Sequence, residues 1–289
     1  MSISIERPLA LVTQKIQGDW DYVDEHYSDS SKAIGQFILA CQLTYNATIR
    51  NYWEVMGSPD PMSPYRPTHF KFKDYDGFIS LIRKNANIQK THIPGIEWLM
   101  DEIDFVLSKP ELQVATPLEV GLSNFSKSYY SGKNIRAIAD LATCLESIII
   151  QGSPTEILLK LRSRTAALIY TETDSIQKLY DDIKNLYELR SKLIHGDAIE
   201  EKKLIKILDR IINRSDISTT EKLALAVYRF RDIVRRALLA RLTLDSMRNS
   251  PWSEENAKNI DALLADVQFR ESCRASIGQK LRSASMLLS

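Results

Sequence analysis

Three helix-start signals after residue 115 constrain the fold of this chain more than any other feature. Thr116-Pro117-Leu118-Glu119 and Ser153-Pro154-Thr155-Glu156 each place a hydroxyl at the N-cap, a proline at the first helical position and a glutamate three residues after the cap. The cap and glutamate side chains satisfy each other's open backbone amides, and proline has no amide to leave open. Ser218-Thr219-Thr220-Glu221 repeats the box without the proline. These signals predict long helices with fixed starting points.

Apolar residues at helical spacing fill the stretches between these starts. Asp174 with Gln177 makes a weaker start for one further helix, and Gly196 is a typical left-handed stop after it. The predicted helices are near 117–131, 134–150, 154–170, 175–195, 200–213, 219–247 and 253–285. The chain is therefore expected to be all-α in this part.

The first 115 residues give a less uniform pattern. Helical periodicity covers residues 31–54, returns near 76–90, and appears again at 95–108. Four prolines between 57 and 69 predict a loop, and the alternating segment THFKFKDY that begins at Thr68 predicts a short strand. We divide the chain into a mostly helical region of unknown role at 1–115, a helical domain at 116–250 and a helical extension at 251–289.

Composition excludes several classes of protein. The 289 residues include 38 basic and 37 acidic side chains, so a nucleic-acid contact has to come from a local patch. Three widely spaced cysteines give neither a disulfide framework nor metal-ligand spacing, and no apolar run is long enough to span a bilayer. We expect a cytoplasmic protein with no metal, no cofactor and no membrane partner.

One side chain interrupts the apolar stripe of the helix predicted at 175–195. Ile176, Leu179, Ile183, Leu186 and Leu193 follow helical spacing, and Arg190 occupies the slot between the last two. At 100° per residue, Arg190 lies near the middle of this face, whereas His195 lies off it at the helix end. The pattern requires an explanation for an arginine in a stripe that packs against other helices.

Two explanations stay open on the residues alone. In the first, Arg190 is a structural ion-pair partner of a carboxylate such as Glu146, and its loss costs about 3 kcal/mol or more by leaving that carboxylate unpaired. In the second, Arg190 and His195 form a phosphate site in which histidine moves a proton and arginine stabilises charge on phosphorus. No metal-ligand cluster lies nearby in sequence, which points to attack by the 2′-hydroxyl of RNA.

Three segments together resemble the Apea-like branch of the HEPN superfamily: LATCLESIII from Leu141, LLKLRSRTAALI from Leu158 and IKNLYELRSKLIHGD from Ile183. The family's motif is an arginine followed by a histidine with four to six residues between them. Here it reads Arg190-Ser-Lys-Leu-Ile-His195. The resemblance covers about residues 118–248.

The resemblance implies a helical bundle that dimerises so that two motifs meet in one cleft. Many such domains are metal-independent endoribonucleases of toxin–antitoxin or phage-defence systems. It implies that His195 transfers the proton and that Arg190 holds the scissile phosphate. Glu146, Tyr187 and Ser191 are expected to support the site, Tyr187 either by stacking on a base or by packing.

An arginine-rich segment is a candidate for binding RNA. Residues 219–250 hold seven basic and three acidic side chains, and Arg229 shares one helix face with Arg236 while Arg231 shares another with Arg235. These four arginines form either a track for phosphate groups or a solvated face whose stems cover the core. Lys160, Arg162 and Arg164 add either to that track or to ordinary surface charge.

Two functions follow from these observations. The first is a homodimeric ribonuclease that acts on RNA as a toxin or antiviral effector, with a possible antitoxin or sensor protein as its partner. The second is a non-catalytic HEPN module that binds RNA, a nucleotide or a partner protein. Ser191 favours the second, because active members often carry Asn, Asp or His after the arginine. The retained Arg190 and His195 favour the first.

Overall fold

The computed structural model describes most of the chain after residue 91 and shorter pieces before it. The described residues are 35–44, 53–56, 68–71, 92–107, 115–131, 133–150, 156–170, 175–194, 201–245, 250–253 and 255–283. Helix α1 covers residues 35–44 and strands β1 and β2 follow it. The strands are Trp53–Met56 and Thr68–Lys71, and the later helices are α2 (Ile93–Leu107), α3 (Pro117–Tyr130), α4 (Asn134–Ile149), α5 (Ile157–Ile169), α6 (Ile176–Ile194), α7 (Glu201–Ile211), α8 (Thr219–Asp245), α9 (Ile260–Ala265) and α10 (Val267–Ser283). The described chain is thus all-α apart from one pair of strands.

The two strands pair in antiparallel orientation, with Trp53 opposite Lys71 and Met56 opposite Thr68. The predicted strand beginning at Thr68 is confirmed. The helix predicted for 31–54 is wrong at its end, because the backbone is already extended at Trp53, where aromatic and β-branched residues favour a strand. The helix predicted for 76–90 lies outside the described residues, whereas the one at 95–108 is confirmed as α2.

Two of the predicted helix starts are present as capping boxes. In α3 the Glu119 amide donates to the Thr116 hydroxyl at 3.3 Å, and the Thr116 amide donates back to the Glu119 carboxylate. In α8 the Glu221 amide donates to Ser218 at 3.3 Å, and the Ser218 amide donates to Glu221 at 2.7 Å. Both helices therefore begin where their sequences indicate.

The other two starts differ from the prediction. Helix α5 begins at Ile157, and Glu156 precedes it with a left-handed φ of 58° instead of lying inside its first turn. The remainder of that predicted box, 153–155, lies outside the described residues. Helix α6 is capped by Ser175, whose hydroxyl accepts from the Lys178 amide at 3.3 Å, while Gln177 donates to Asp181. This cap lies one residue after the predicted Asp174, which is outside the described residues.

Helices α4 and α8 form the centre of the bundle. Helix α4 packs against α3, α5, α6 and α8, and α8 also contacts α3, α5, α6, α7 and α10. Gly121 permits the close approach of α3 to α4, because a Cβ at this position would overlap the Ile148 side chain. One cluster of buried apolar side chains extends from Leu43 of α1 and Leu99 of α2 to Ile277 of α10. The core therefore crosses the boundaries predicted near residues 115 and 250.

Arginines from distant parts of the sequence close the C-terminal ends of several helices. Arg241 and Arg164 donate to the adjacent carbonyls of Ile148 and Ile149 at 3.4 and 3.1 Å, at the end of α4. Arg236 and Arg274 donate to Ile169 and Ala167, at the end of α5, and Arg231 donates to Ser128 of α3. The last carbonyls of a helix have no partner within it, so these guanidinium groups supply donors that the buried ends need.

Burial also affects the titratable groups of the core. It lowers the pKa of the Arg241 guanidinium to about 10, which leaves the group charged at neutral pH. The three cysteines, Cys41, Cys144 and Cys273, are free and buried, and burial raises the pKa of each thiol. No helix in the described residues combines the length and apolar character needed to cross a membrane.

The Arg164 contacts predict a stability effect. Arg164 is 4% exposed and binds Asp261 through Nε at 2.6 Å and Nη2 at 2.8 Å, besides the Ile149 carbonyl. We expect Arg164→Met to lower the free energy of unfolding by about 2 kcal/mol in urea titrations, because charged hydrogen bonds are lost in a buried place. The matched control is Arg214→Met, since Arg214 also binds one aspartate through two nitrogens but at the surface. An equal loss in both variants would contradict the capping role.

The same pair predicts a pH dependence. The hydrogen bonds from Arg164 lower the pKa of Asp261 below its ordinary value of about 3.9. A lowered pKa means that the pair's contribution is present above about pH 4 and is lost as the pH falls through the folded-state pKa. The stability difference between wild type and Asp261→Asn, measured by urea unfolding, should therefore shrink in strong acid. A difference that stays constant from neutral to strongly acidic pH would contradict this assignment.

Candidate functional site

Arg190 lies at the margin of the buried face of α6, where its side chain is 25% exposed. Among the described side chains of this helix, Leu179, Ile183, Leu186 and Leu189 are buried and Ile176 is exposed. The predicted position in the middle of the apolar face is therefore wrong. Leu189 occupies the packed face beside it and leaves Arg190 half-buried. Its loss should cost about 1 kcal/mol, as for a partly exposed pair, and not the 3 kcal/mol expected for a buried one.

Glu146 of α4 is the carboxylate that Arg190 meets. Nη2 of Arg190 lies 4.0 Å from Oε1 of Glu146, whose side chain is 27% exposed. The predicted pairing is present, but it is loose. The short contact to this carboxylate comes from Tyr187, whose hydroxyl donates to the same oxygen at 2.6 Å. The guanidinium carbon of Arg190 lies 5.6 Å from the centre of the Tyr187 ring.

Tyr187 stays a hydrogen-bond donor over a wide pH range. Partial burial raises the pKa of its phenol to about 12, and acceptance of its hydrogen bond by the negatively charged Glu146 adds to the effect. The nearby positive charge of Arg190 acts in the opposite direction. Tyr187 therefore packs on α4 and positions Glu146. Of the two roles predicted for this residue, stacking on a base or packing, the structure shows packing.

The guanidinium of Arg190 keeps donors that the surrounding protein does not use. Its Nε is buried and has no hydrogen-bond acceptor among the described residues. By comparison, Arg164 is held by two carboxylate contacts shorter than 3 Å, and Arg229 binds Asp182 at 2.9 Å. Arg190 thus carries a charge near the surface that a phosphate group can share.

The structure describes only part of the predicted motif beyond Arg190. Ser191 follows Arg190 within α6 and is half-buried. His195 and the predicted stop at Gly196 lie outside the described residues. The geometry of this site is therefore that of Arg190, Glu146, Tyr187 and the backbone of α6 up to Ile194.

The arginine track predicted on α8 is not on the surface. Arg231, Arg235 and Arg236 are 7%, 3% and 2% exposed. Arg235 donates to the Leu43 carbonyl at 3.2 Å and to Asp232 at 3.0 Å, and Arg231 lies over the Tyr129 ring. The prediction that these three side chains bind RNA is wrong for this structure, because helix carbonyls and a carboxylate occupy them inside the bundle.

Arg229 is half-buried and connects two helices. Its Nε donates to Asp182 of α6 at 2.9 Å, and its Nη1 lies 3.6 Å from Asp232. Asp182 is 1% exposed and also accepts from Lys178 at 3.0 Å. Sequence reasoning missed this buried aspartate, although the lysine four residues before it is a sign of an ion pair along the helix. Arg229 is thus engaged with protein carboxylates and not free for phosphate.

The basic residues of α5 have separate structural roles. Arg164 is the buried partner of Asp261 described above, so neither the RNA track nor surface charge explains it. Arg162 lies 3.7 Å over the Tyr180 ring and donates to the Tyr180 carbonyl at 3.2 Å. Both arginines join α5 to neighbouring elements.

Comparisons with known proteins add no assignment to this geometry. The chain matches no protein-family model, no curated protein and no solved structure. Within the described part of the chain, no three His, Cys, Asp or Glu side chains group together in a way that could hold a metal ion. The residues around Arg190 are therefore the candidate functional site.

The Tyr187–Glu146 contact gives a testable prediction. We expect Tyr187→Phe to lower the free energy of unfolding by about 1 kcal/mol, because a charged hydrogen bond between α6 and α4 is lost from a half-exposed place. The matched control is Tyr180→Phe on the same helix, where the ring stacks on Arg162 and the hydroxyl has no hydrogen-bond partner among the described residues. Urea unfolding of both variants checks this, and equal stabilities would show that the Tyr187 hydroxyl contributes nothing.

Proposed function

We propose that this chain is a HEPN-type endoribonuclease that cleaves RNA without a metal ion, with Arg190 and His195 as its catalytic pair. The observation that supports this proposal is the loosely held guanidinium of Arg190, 4.0 Å from Glu146 and 25% exposed. Arg164, by contrast, is 4% exposed and forms two hydrogen bonds to Asp261 and one to the Ile149 carbonyl. The Arg190 guanidinium is partly exposed and only loosely paired, so a phosphate can share its charge four residues before the end of α6.

The proposed reaction uses the ribose as its nucleophile. His195 accepts the proton of the 2′-hydroxyl, and the 2′-oxygen attacks the adjacent phosphorus. The bond to the 5′-oxygen breaks, that oxygen takes up a proton, and a 2′,3′-cyclic phosphate remains on the other fragment. Arg190 stabilises the negative charge that develops on the phosphate oxygens. Ser191 contributes a hydroxyl next to this arginine.

The second candidate function is a non-catalytic module that binds RNA, a nucleotide or a partner protein through the same surface. Ser191 favours it, because a serine hydroxyl is a poorer base than the side chains found after the arginine in active members. In this function Arg190 still contacts a phosphate or carboxylate of the ligand. The two functions differ in whether a covalent bond in RNA is broken.

The proposed enzyme acts as a symmetric homodimer in the cytoplasm. A single Arg–His pair provides few catalytic groups for phosphoryl transfer, whereas two motifs that face each other in a dimer provide two arginines and two histidines. The proposed role is that of a toxin or antiviral effector, restrained or triggered by an antitoxin or sensor protein. Light scattering at micromolar concentration should give the mass of a dimer, and a monomer would contradict the shared cleft.

The catalytic prediction concerns two variants. His195→Ala should abolish cleavage of single-stranded RNA in EDTA and leave the fold unchanged, because the proton carrier is lost. Arg190→Ala should abolish cleavage while lowering the free energy of unfolding by about 1 kcal/mol. Gel analysis of end-labelled RNA, with a test for the cyclic phosphate, measures the first effect, and urea unfolding measures the second.

A matched control tests whether the loss of another positive charge on α6 also abolishes cleavage. Lys192→Ala removes a half-buried cation of the same helix, paired with Glu188 at 3.4 Å, and should retain cleavage. If the wild type cuts RNA and His195→Ala cuts it equally fast, the proposed catalytic pair is wrong. If the wild type binds RNA but leaves it intact, the non-catalytic function stands.

A further inference from the structure

A basic surface depression lies where α3 ends and α4 begins. Its volume is about 670 Å³. We call it the basic depression, and its lining includes Lys127, Tyr130, Ser131, Lys133, Arg136 and Asp140. These residues form no recognisable sequence motif, because their charges are spread over two helices and the turn between them.

The cations of the basic depression are available to a ligand. Lys127, Lys133 and Arg136 are exposed, and no carboxylate of the described chain lies within ion-pair distance of them. Asp140 is the acidic residue of the lining, and its Oδ2 accepts a hydrogen bond from the Ser131 hydroxyl at 2.6 Å. Three positive charges therefore face this space against one negative charge that is already engaged.

The start of α4 strengthens the positive potential at this place. Lys133 occupies the N-cap position without a side-chain hydrogen bond to the first turn, and that turn contains no acidic residue. The open amides at a helix start carry a partial positive charge. The exposed ring of Tyr130, 42% accessible, lies beside these groups. Cationic side chains with an aromatic ring next to them are the combination that binds single-stranded nucleic acid.

One face of α4 leads from the basic depression to Arg190. Arg136, Ala139, Thr143 and Glu146 follow each other at spacings of three or four residues, so they lie along one side of the helix. Ala139, Thr143 and Glu146 are half-buried and Arg136 is exposed. Ten residues of helix separate Arg136 from Glu146, which corresponds to about 15 Å at 1.5 Å per residue. An extended RNA strand covers this distance with a few nucleotides.

We propose that the basic depression binds the sugar–phosphate backbone of the RNA strand whose scissile phosphate lies at Arg190. This inference rests on the proposed function and names the surface that holds the substrate. Lys127, Lys133 and Arg136 contact phosphates, and the Tyr130 ring stacks on a base. The buried arginines of α8 take no part.

The test measures RNA binding by fluorescence anisotropy, in wild type and in the His195→Ala protein that should not cut the probe. The site variant combines Lys127→Gln, Lys133→Gln and Arg136→Gln. The matched control combines Lys184→Gln, Lys206→Gln and Lys258→Gln, which remove three exposed charges elsewhere. The probes are a short labelled single-stranded RNA and labelled polyglutamate.

We expect the site variant to bind the RNA about tenfold more weakly or worse, and the control variant to bind it nearly as well as wild type. Three lost phosphate contacts should also reduce the slope of log affinity against log salt by about 2. Tyr130→Leu should weaken binding several-fold and Tyr130→Phe should not. Urea unfolding of each variant checks that these surface changes leave the fold intact.

Several results would overturn the inference. These are unchanged RNA binding by the site variant, an equal loss in the control variant, absence of RNA binding by wild type, or polyglutamate binding with the same dependence on the three residues. The last result would identify a site for an acidic protein. The outcome is independent of catalysis: loss of binding in the site variant supports the basic depression even where wild type cuts no RNA, and the cleavage assay alone decides the proposed reaction.

Discussion

Arginines that bind the C-terminal carbonyls of helices hold this bundle together. A helix leaves its last carbonyls without partners, and a bundle that buries those ends must supply donors from elsewhere. Arg231, Arg236 and Arg241 do so for α3, α5 and α4, and all three come from α8. The rotation of α8 is therefore fixed by polar contacts on several sides as well as by apolar packing. Arg164 and Arg274 add contacts of the same kind from α5 and α10.

This arrangement separates the basic residues into two groups with different consequences. The arginines of α8 are occupied inside the protein, and removing one leaves a buried carbonyl or carboxylate without its donor. Lys127, Lys133 and Arg136 are exposed, and Arg190 is half-buried and only loosely paired with Glu146. A formal net charge of +1 conceals this separation, because Asp182, Asp232 and Asp245 pair with buried or half-buried arginines and not with the exposed cations. Only the second group can attract an anionic ligand.

The sequence predicts the helices well because capping is local. The boxes at Thr116 and Ser218 involve residues three apart, so the pattern contains both partners. The role of the α8 arginines depends on acceptors far away in the chain, such as Leu43 for Arg235 and Ile169 for Arg236. From sequence alone, a segment with arginines on several helix faces fits a phosphate-binding surface and a buried hydrogen-bond network equally well. The pairing of Arg190 with Glu146 was predictable because an arginine within an apolar stripe requires a carboxylate partner, but the looseness of the pair depends on Tyr187, which donates a hydrogen bond to the same carboxylate.

The contact between Tyr187 and Glu146 determines how much of the Arg190 charge a ligand can use. Glu146 lies in the last turn of α4, where the negative end of the helix dipole is unfavourable for a carboxylate. That carboxylate needs a donor, and without Tyr187 it would move to Arg190 and neutralise it. The 2.6 Å hydrogen bond from Tyr187 satisfies Glu146 instead and leaves Arg190 at 4.0 Å. The phosphate that we propose at Arg190 would then compete with a carboxylate that already accepts a hydrogen bond, and displacing Arg190 from this carboxylate would cost only the energy of a loose, partly solvated ion pair.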